Sequence, residues 1–234
     1  MSDIGGILSI SSQALLTQQK AMNVTSHNIA NVNTPGYSRQ RLRMSTNTPA
    51  SMSMGMVGSG VSADSVERIY DRFLSDQINI ENQELGRWDA QKGAVEVVET
   101  IFNESDGYGL NHVMSRFWEA WQSLTNNPTG QTERQILITD SQALARTFNQ
   151  LVADLSQAQK DLDTIIEGTV ADINRLSEQL VDLNQKIISA EADTSVANDY
   201  RDSREQVLKE LSELIDINSF EDSFGATNVL LANG

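Results

Sequence analysis

Cysteine is absent from the 234 residues, which excludes disulfides, thiolate metal sites and cysteine nucleophiles together and leaves packing as the source of stability. Histidine is nearly absent too. His27 and His112 lie in different segments and in no H-E-x-x-H or comparable ligand spacing, so no metal site is expected. No apolar run is long enough to span a bilayer, and the opening MSDIGGILSISSQALL has neither a basic n-region nor an A-x-A cleavage site, so no conventional signal peptide is read. Basic residues are outnumbered, 17 against 32 acidic, and a net charge of -15 opposes nucleic acid and anionic membranes, neither of which is expected as a partner. No nucleophile and base stand in a recognisable set, and the acids fall on solvent faces of helical patterns rather than in a pocket; no catalytic residue and no cofactor are assigned.

What is present suits folding. Apolar residues make up 39%, enough for one or two domains with an ordinary core. Charge is uneven: residues 1–60 carry Asp3 against Lys20, Arg39, Arg41 and Arg43, a net +3 that leaves -18 for the remainder, so the two parts suit different surroundings.

Along the chain, residues 4–30 place Leu8, Leu15, Met22 and Ile29 at a heptad step, while Ile4, Ser11, Gln18 and Thr25 beside them are mostly polar. So thin a stripe does not sustain a helix in water, and this one is expected to order only when a partner helix covers it. Pro35 and Gly36 end the helix and suit a type II turn over Thr34–Tyr37, followed by a short strand with Tyr37, Arg39, Arg41 and Arg43 on one face. Residues 45–63 read as a loop or irregular strand. Asp64 and Glu67 form a capping-box variant that predicts one long helix over 65–103, through Val66, Ile69, Phe73, Ile80, Trp88, Val95 and Phe102. A further helix over 110–124 stops before Pro128, and Thr132 with Gln135 gives a second capping box. From Leu137 to Ile187 a seam spaced by threes and fours predicts a continuous helix over 133–190, about 87 Å at the α-helical rise, with Gly168 as its weak point. Val196 to Leu214 supply an antiparallel return helix, and FGATNVLLANG reads as a strand lacking its partners, which implies that the natural chain continues past Gly234.

Other features have plain readings. Trp88, Trp118 and Trp121 are expected in the core and NESDG at 103–107 as a turn rather than a calcium loop, while the methionines at 52, 54 and 56 suit an adaptable contact surface and a flexible loop equally. Arg39, Arg41 and Arg43 suit an acidic protein neighbour better than phosphate.

SHNIANVNTPGYSRQR, residues 26–41, resembles the A-N-x-x-T-P-G-Y motif of flagellar rod, hook and hook-associated proteins, and Pro35 followed by GYSRQ is most similar to the hook-associated protein 1 family. GSGVSADSVERIYDRFLSDQI, FWEAWQSLTNNPTGQTERQ and ANDYRDSREQVLKELSELIDI are similar to further blocks of that family, in the family's order. The resemblance implies a mainly α, elongated subunit at the hook–filament junction, with long antiparallel helices in a coiled-coil-like bundle, a short β segment after the first helix and the start of a β-rich domain at the carboxy end. It implies domains at 1–60 (terminal helix, turn and strand), 61–217 (helical rod) and 218–234 (truncated outer domain). Asn28, Ala30, Asn31, Thr34, Pro35, Gly36, Tyr37 and Arg39 become an assembly motif, and Leu8, Leu15, Met22 and Ile29 an assembly seam awaiting a carboxy-terminal helix that this chain lacks. The partners implied are the hook protein, a second hook-associated junction protein, further copies in a ring, and an export chaperone on the carboxy-terminal region; the location implied is the extracellular flagellum, reached by type III export. A rod or hook protein sharing the motif is the alternative, disfavoured by the long helical pattern over 133–215. A wall-polymer hydrolase is a further one, unsupported by any site residue.

Overall fold

The structure, a computed structural model, describes residues 2–52, 55–102, 109–192 and 196–232. The fold is mainly α. Its elements are α1 (Ser2–Ala30), β1 (Gln40–Thr46), β2 (Ala50–Met52), β3 (Gly55–Val57), β4 (Val61–Arg68), α2 (Arg72–Phe102), α3 (Leu110–Asn126), α4 (Gln131–Glu191), α5 (Asn198–Leu214), β5 (Ile217–Glu221) and β6 (Thr227–Leu231). They divide into two compact units, Met1–Gly86 with Ile173–Gly234, and Arg87–Asp172.

In the first unit, the end of α4 and the returning α5 bury Leu176 and Leu180 against Val207, Leu208 and Leu211, with Ile217 closing the cluster. This is the antiparallel pair that the spacing of the leucines predicts. The segment after α5 departs from expectation: β6 does have a partner, pairing antiparallel with β5 from Ile217↔Leu231 to Glu221↔Thr227. The hairpin is pinned to the helices. Buried Arg204 donates to Asn184 Oδ1 and the Gly225 carbonyl, Asn184 Oδ1 accepts from Thr227 N, and Val229 packs on the leucine cluster. Its turn closes where Asp222 accepts from the Phe224 and Ala226 amides, with Gly225 at φ +85°. On the other side α2 approaches α5 so closely that a Cβ at Gly86 would meet the Glu213 carbonyl, and Gln83 Nε2 donates to the Ile217 carbonyl 2.8 Å away.

The predicted capping box at Asp64 and Glu67 is not one. Residues 61–68 form β4, which pairs with β1 from Gln40↔Arg68 to Thr46↔Val61, with a register shift at Arg43/Met44. Val66 and Ile69 happen to match helical spacing with Phe73, but the chain here has a strand partner. Glu67 pairs with Arg43 at 2.9 Å, and Asp64 accepts from Ser45 at 2.7 Å. The helix starts at Arg72, capped by Asp71, whose carboxylate accepts from Leu74 N. Residues 45–63 also hold the small β2–β3 ladder.

α1 docks on this β1–β4 hairpin through a stripe that the large residues conceal. Ile10, Ala14, Thr17, Ala21, Val24, Asn28 and Asn31, spaced by fours and threes, are its covered positions, and Thr17 is buried. Small side chains let a helix lie close to a sheet, and Ile10 rests beside Gly60. The helix thus has a partner within the chain, one the heptad stripe alone did not foretell.

In the second unit α3 faces α4 with Val113, Phe117, Ala120 and Leu124 inward, and Arg116 reaches buried Asp140 at 2.6 Å. The tryptophans are not core. Trp88 and Trp118 are 62% exposed and Trp121 is 45% exposed, because the inner seam of α3 runs one position round from Met114, Trp118 and Trp121. α4 runs as one helix through Gly168. It begins at Gln131, so Thr132 sits inside the first turn and the second predicted capping box is not formed. The 103–107 turn lies outside the described residues, as does Met54; Met56 is exposed.

Candidate functional site: the turn motif and the exposed seam

Asn28 sits on the last turn of α1 and does the work of a missing strand residue. Its Oδ1 accepts from Gln40 N and its Nδ2 donates to the Gln40 carbonyl, both at 2.8 Å, so a side-chain amide satisfies both main-chain groups where β1 begins. The Tyr37 hydroxyl donates to the same Oδ1 at 2.8 Å and lies 3.0 Å from His27 Nδ1, with the two rings edge to face. Between helix and strand, Asn31 Nδ2 donates to the His27 carbonyl and Asn31 Oδ1 accepts from the Thr34 hydroxyl. Tyr37 N donates to the Thr34 carbonyl with Pro35 and Gly36 at the corners and Gly36 at φ +77°, the signature of the expected type II turn.

The turn is fastened to α5, 164 residues away in sequence. Ser38 N donates to Asp202 Oδ2 and Arg68 to Asp202 Oδ1, each at 2.8 Å, and the Arg68 and Asp202 side chains are only 9% and 7% exposed. Glu205 stands 3.7 Å from the same guanidinium, which also lies 4.1 Å over the Tyr70 ring. Gln40 Nε2 donates to Asp199, Asn198 Nδ2 donates to the Val66 carbonyl, and a Cβ on Gly36 would lie 3.2 Å from the Gln206 side chain. Burial, then Asp199 and Asp202, raise the Tyr37 phenol above its usual range, which keeps it a neutral hydrogen-bond donor.

Six of the eight motif residues, Asn28, Asn31, Thr34, Pro35, Gly36 and Tyr37, therefore meet in one network or recess. Ala30 and Arg39 do not: Ala30 ends α1 on the exposed side, and Arg39 points into solvent. Of the other two arginines, Arg43 and Arg41 stand 2.9 and 3.9 Å from Glu67, so an acidic neighbour is supplied partly from within. The anchors Asp199, Asp202 and Arg68 escape sequence reasoning, since nothing at those positions says which distant loop they hold.

Leu8, Leu15 and Met22 lie on the face of α1 turned away from the hairpin, and Ile29 continues their line to the rim of the recess beside β1. Leu8, Leu15, Met22 and Ile29 are 65, 72, 64 and 69% exposed, and Ile4, Leu16 and Val32 are exposed with them. Leaving four such side chains in water forgoes roughly 1.5 to 3 kcal/mol each relative to full burial.

Residues 8–37, which hold the seam and the turn, match the family described as flagella basal body rod protein. Residues 95–234 match the flagellar hook-associated protein FlgK helical domain, and the chain belongs to the FlgK family of hook-associated proteins. It is 34% identical over 229 residues to flagellar hook-associated protein 1 of Bacillus subtilis, covering 95% of this chain and 45% of that protein. The protein of the same name from Escherichia coli is 27% identical over 218 residues, covering 92% of this chain and 40% of that one. The solved structure of the flagellar hook junction protein FlgK from Burkholderia pseudomallei shares the fold over 68% of this chain and 28% of that one, with a TM-score of 0.57 and 24% identity. The chain thus spans less than half the length of the relatives it matches.

Proposed function

We propose that this chain is the assembly-forming part of a structural subunit at the junction between flagellar hook and filament. The observation that carries the reading is the two-faced terminal helix: one face is locked to the β1–β4 hairpin and, through Asn28, Tyr37 and Asp202, to α5, while the other presents Leu8, Leu15, Met22 and Ile29 to whatever packs beside it. The turn sets the angle at which the seam leaves the body. The family is structural rather than enzymatic, and its proteins belong to the extracellular flagellum. In this reading the seam is covered by a carboxy-terminal helix of the natural protein, the hook protein lies on one side and a second hook-associated protein on the other, copies associate in a ring, and a chaperone holds the carboxy-terminal region before type III export. The rod-family match over 8–37 is common ground with the rod-protein alternative, and the long α4–α5 pair favours the hook-associated one.

The test is Leu15→Asp with Met22→Asp in the natural full-length protein in cells. The subunit is exported and filaments fail to attach to hooks. Normal filaments in that strain would overturn the role given to the seam.

A further inference from the structure

Between α1 and β1 runs a groove of about 930 Å³. Its apolar wall includes Val32, Leu42 and Ile69, with the last seam residue, Ile29, only at its rim, and Arg39 and Arg41 stand on its strand side. Val32 is 74% exposed, and the Arg39 side chain has no ion pair or hydrogen bond among the described residues. The whole stretch 4–63 contains no Asp or Glu, in a chain that has 32. An apolar groove edged with arginine, in a region purged of acid, fits an amphipathic helix carrying apolar and acidic residues on one face.

This chain carries such a face. In the middle of α4, Val152, Ile166 and Val170 are 61, 59 and 50% exposed, and Asp163 and Glu167 are exposed beside them. At 100° per residue Val152, Asp163, Ile166 and Val170 fall within one narrow stripe, with Glu167 on its margin. Leu155 and Leu162, which α4 half-buries, lie beside this stripe on its Ile166 side, while Val152, Asp163 and Val170 stand further round into solvent.

We propose that the groove between α1 and β1 docks a second copy of this chain, taking the 152–170 face of its α4 with Ile166 and Val170 on the apolar wall and Asp163 and Glu167 against Arg39 and Arg41. The inference rests on the self-association in the proposed function and names its interface. The contact joins two different patches, so it propagates from copy to copy instead of closing as a symmetric dimer, as a ring or helical tube requires.

Because the chain has no cysteine, the interface is open to site-specific cross-linking. Purified Arg39→Cys chain is mixed with Asp163→Cys chain at low salt and treated with a short bis-maleimide. Cross-linked heterodimer forms from the mixture in at least tenfold excess over either chain alone, and its yield falls with salt. In sedimentation velocity, Arg39→Glu with Arg41→Glu weakens self-association at least tenfold, Asp163→Lys with Glu167→Lys does the same, and mixing the two reversed chains restores it. Four outcomes overturn the proposal: no concentration-dependent association of the unmodified chain, equal cross-linking of Arg39→Cys chains to one another, indifference to salt, or no restoration on mixing. Filament attachment remains the separate measure of the seam, so failure of this interface leaves the proposed function standing, whereas failure of the seam shows in cells whatever the sedimentation result.

Discussion

Asp202→Ala is the substitution with the most to say about how the motif is held. Asp202 is the common acceptor for Ser38 N and Arg68, and its removal leaves a guanidinium that is 9% exposed facing Glu205 alone at 3.7 Å. Breaking a buried pair by deleting one partner costs about 3–5 kcal/mol, most of it from the charge left behind. Glu205 recovers part of that, which brings the expected loss to about 3 kcal/mol. With a urea slope of roughly 2 kcal/mol per molar, the midpoint falls by about 1.5 M. Since the two units need not unfold together, the transition is best followed by hydrogen exchange of amides in β1, β4 and α5. Arg68→Met added to Asp202→Ala removes the unpaired charge and regains most of the loss. The reasoning fails if the single variant unfolds within about 0.5 kcal/mol of the unmodified chain, or if the double variant is no better than the single.

Three further outcomes follow from other contacts. Gly86→Ala drives a Cβ into the Glu213 carbonyl, a main-chain atom that cannot swing aside, so α2 separates from α5 and stability drops by more than about 2 kcal/mol in urea unfolding, against about a 1 kcal/mol gain for glycine to alanine in an open helix. Arg201, at 2.7 Å, holds the Glu191 carboxyl below the usual range; a depressed folded-state pKa gives stability that is complete above the unfolded value of about 4.3 and lost as pH falls through the folded one, so Glu191→Gln flattens the acid side of the stability profile. Burial first, then Glu205, push the Tyr70 phenol up to about 12, so its contribution is intact below pH of about 10 and is lost between about 10 and 12; Tyr70→Phe removes that alkaline slope in a urea series.

The long helices were legible because they bury large residues at regular intervals: the seam from Leu137 to Ile187 and its return from Val207 to Leu211 carry the fold by spacing alone. The turn was legible because Pro35 and Gly36 fix backbone angles locally. Local rules failed where distant partners decide. Residues 61–68 are a strand because Gln40–Thr46 pair with them, though Val66 and Ile69 fit a helix. The docked face of α1 went unseen because Ala14, Thr17 and Ala21 do not register as hydrophobic, while the conspicuous stripe beside it faces outward. The tryptophans depart from expectation for the same reason: their size suggests burial, whereas Ala120 is the residue α3 buries most. In the site, the motif could be quoted from sequence, but its attachment to Asp199 and Asp202 spans more than 150 residues and leaves no local trace.

The central claim is that α1 has an inner face built of small residues and an outer face kept free. Amide hydrogen exchange of α1 in the purified chain tests it directly, comparing Thr17→Asp with Leu15→Asp/Met22→Asp. The account predicts that Thr17→Asp, which places a charge where the helix meets the hairpin, strips protection from α1, whereas the seam variant keeps the protection of the unmodified chain. Loss of protection in the seam variant, or its retention in Thr17→Asp, contradicts the assignment of the two faces.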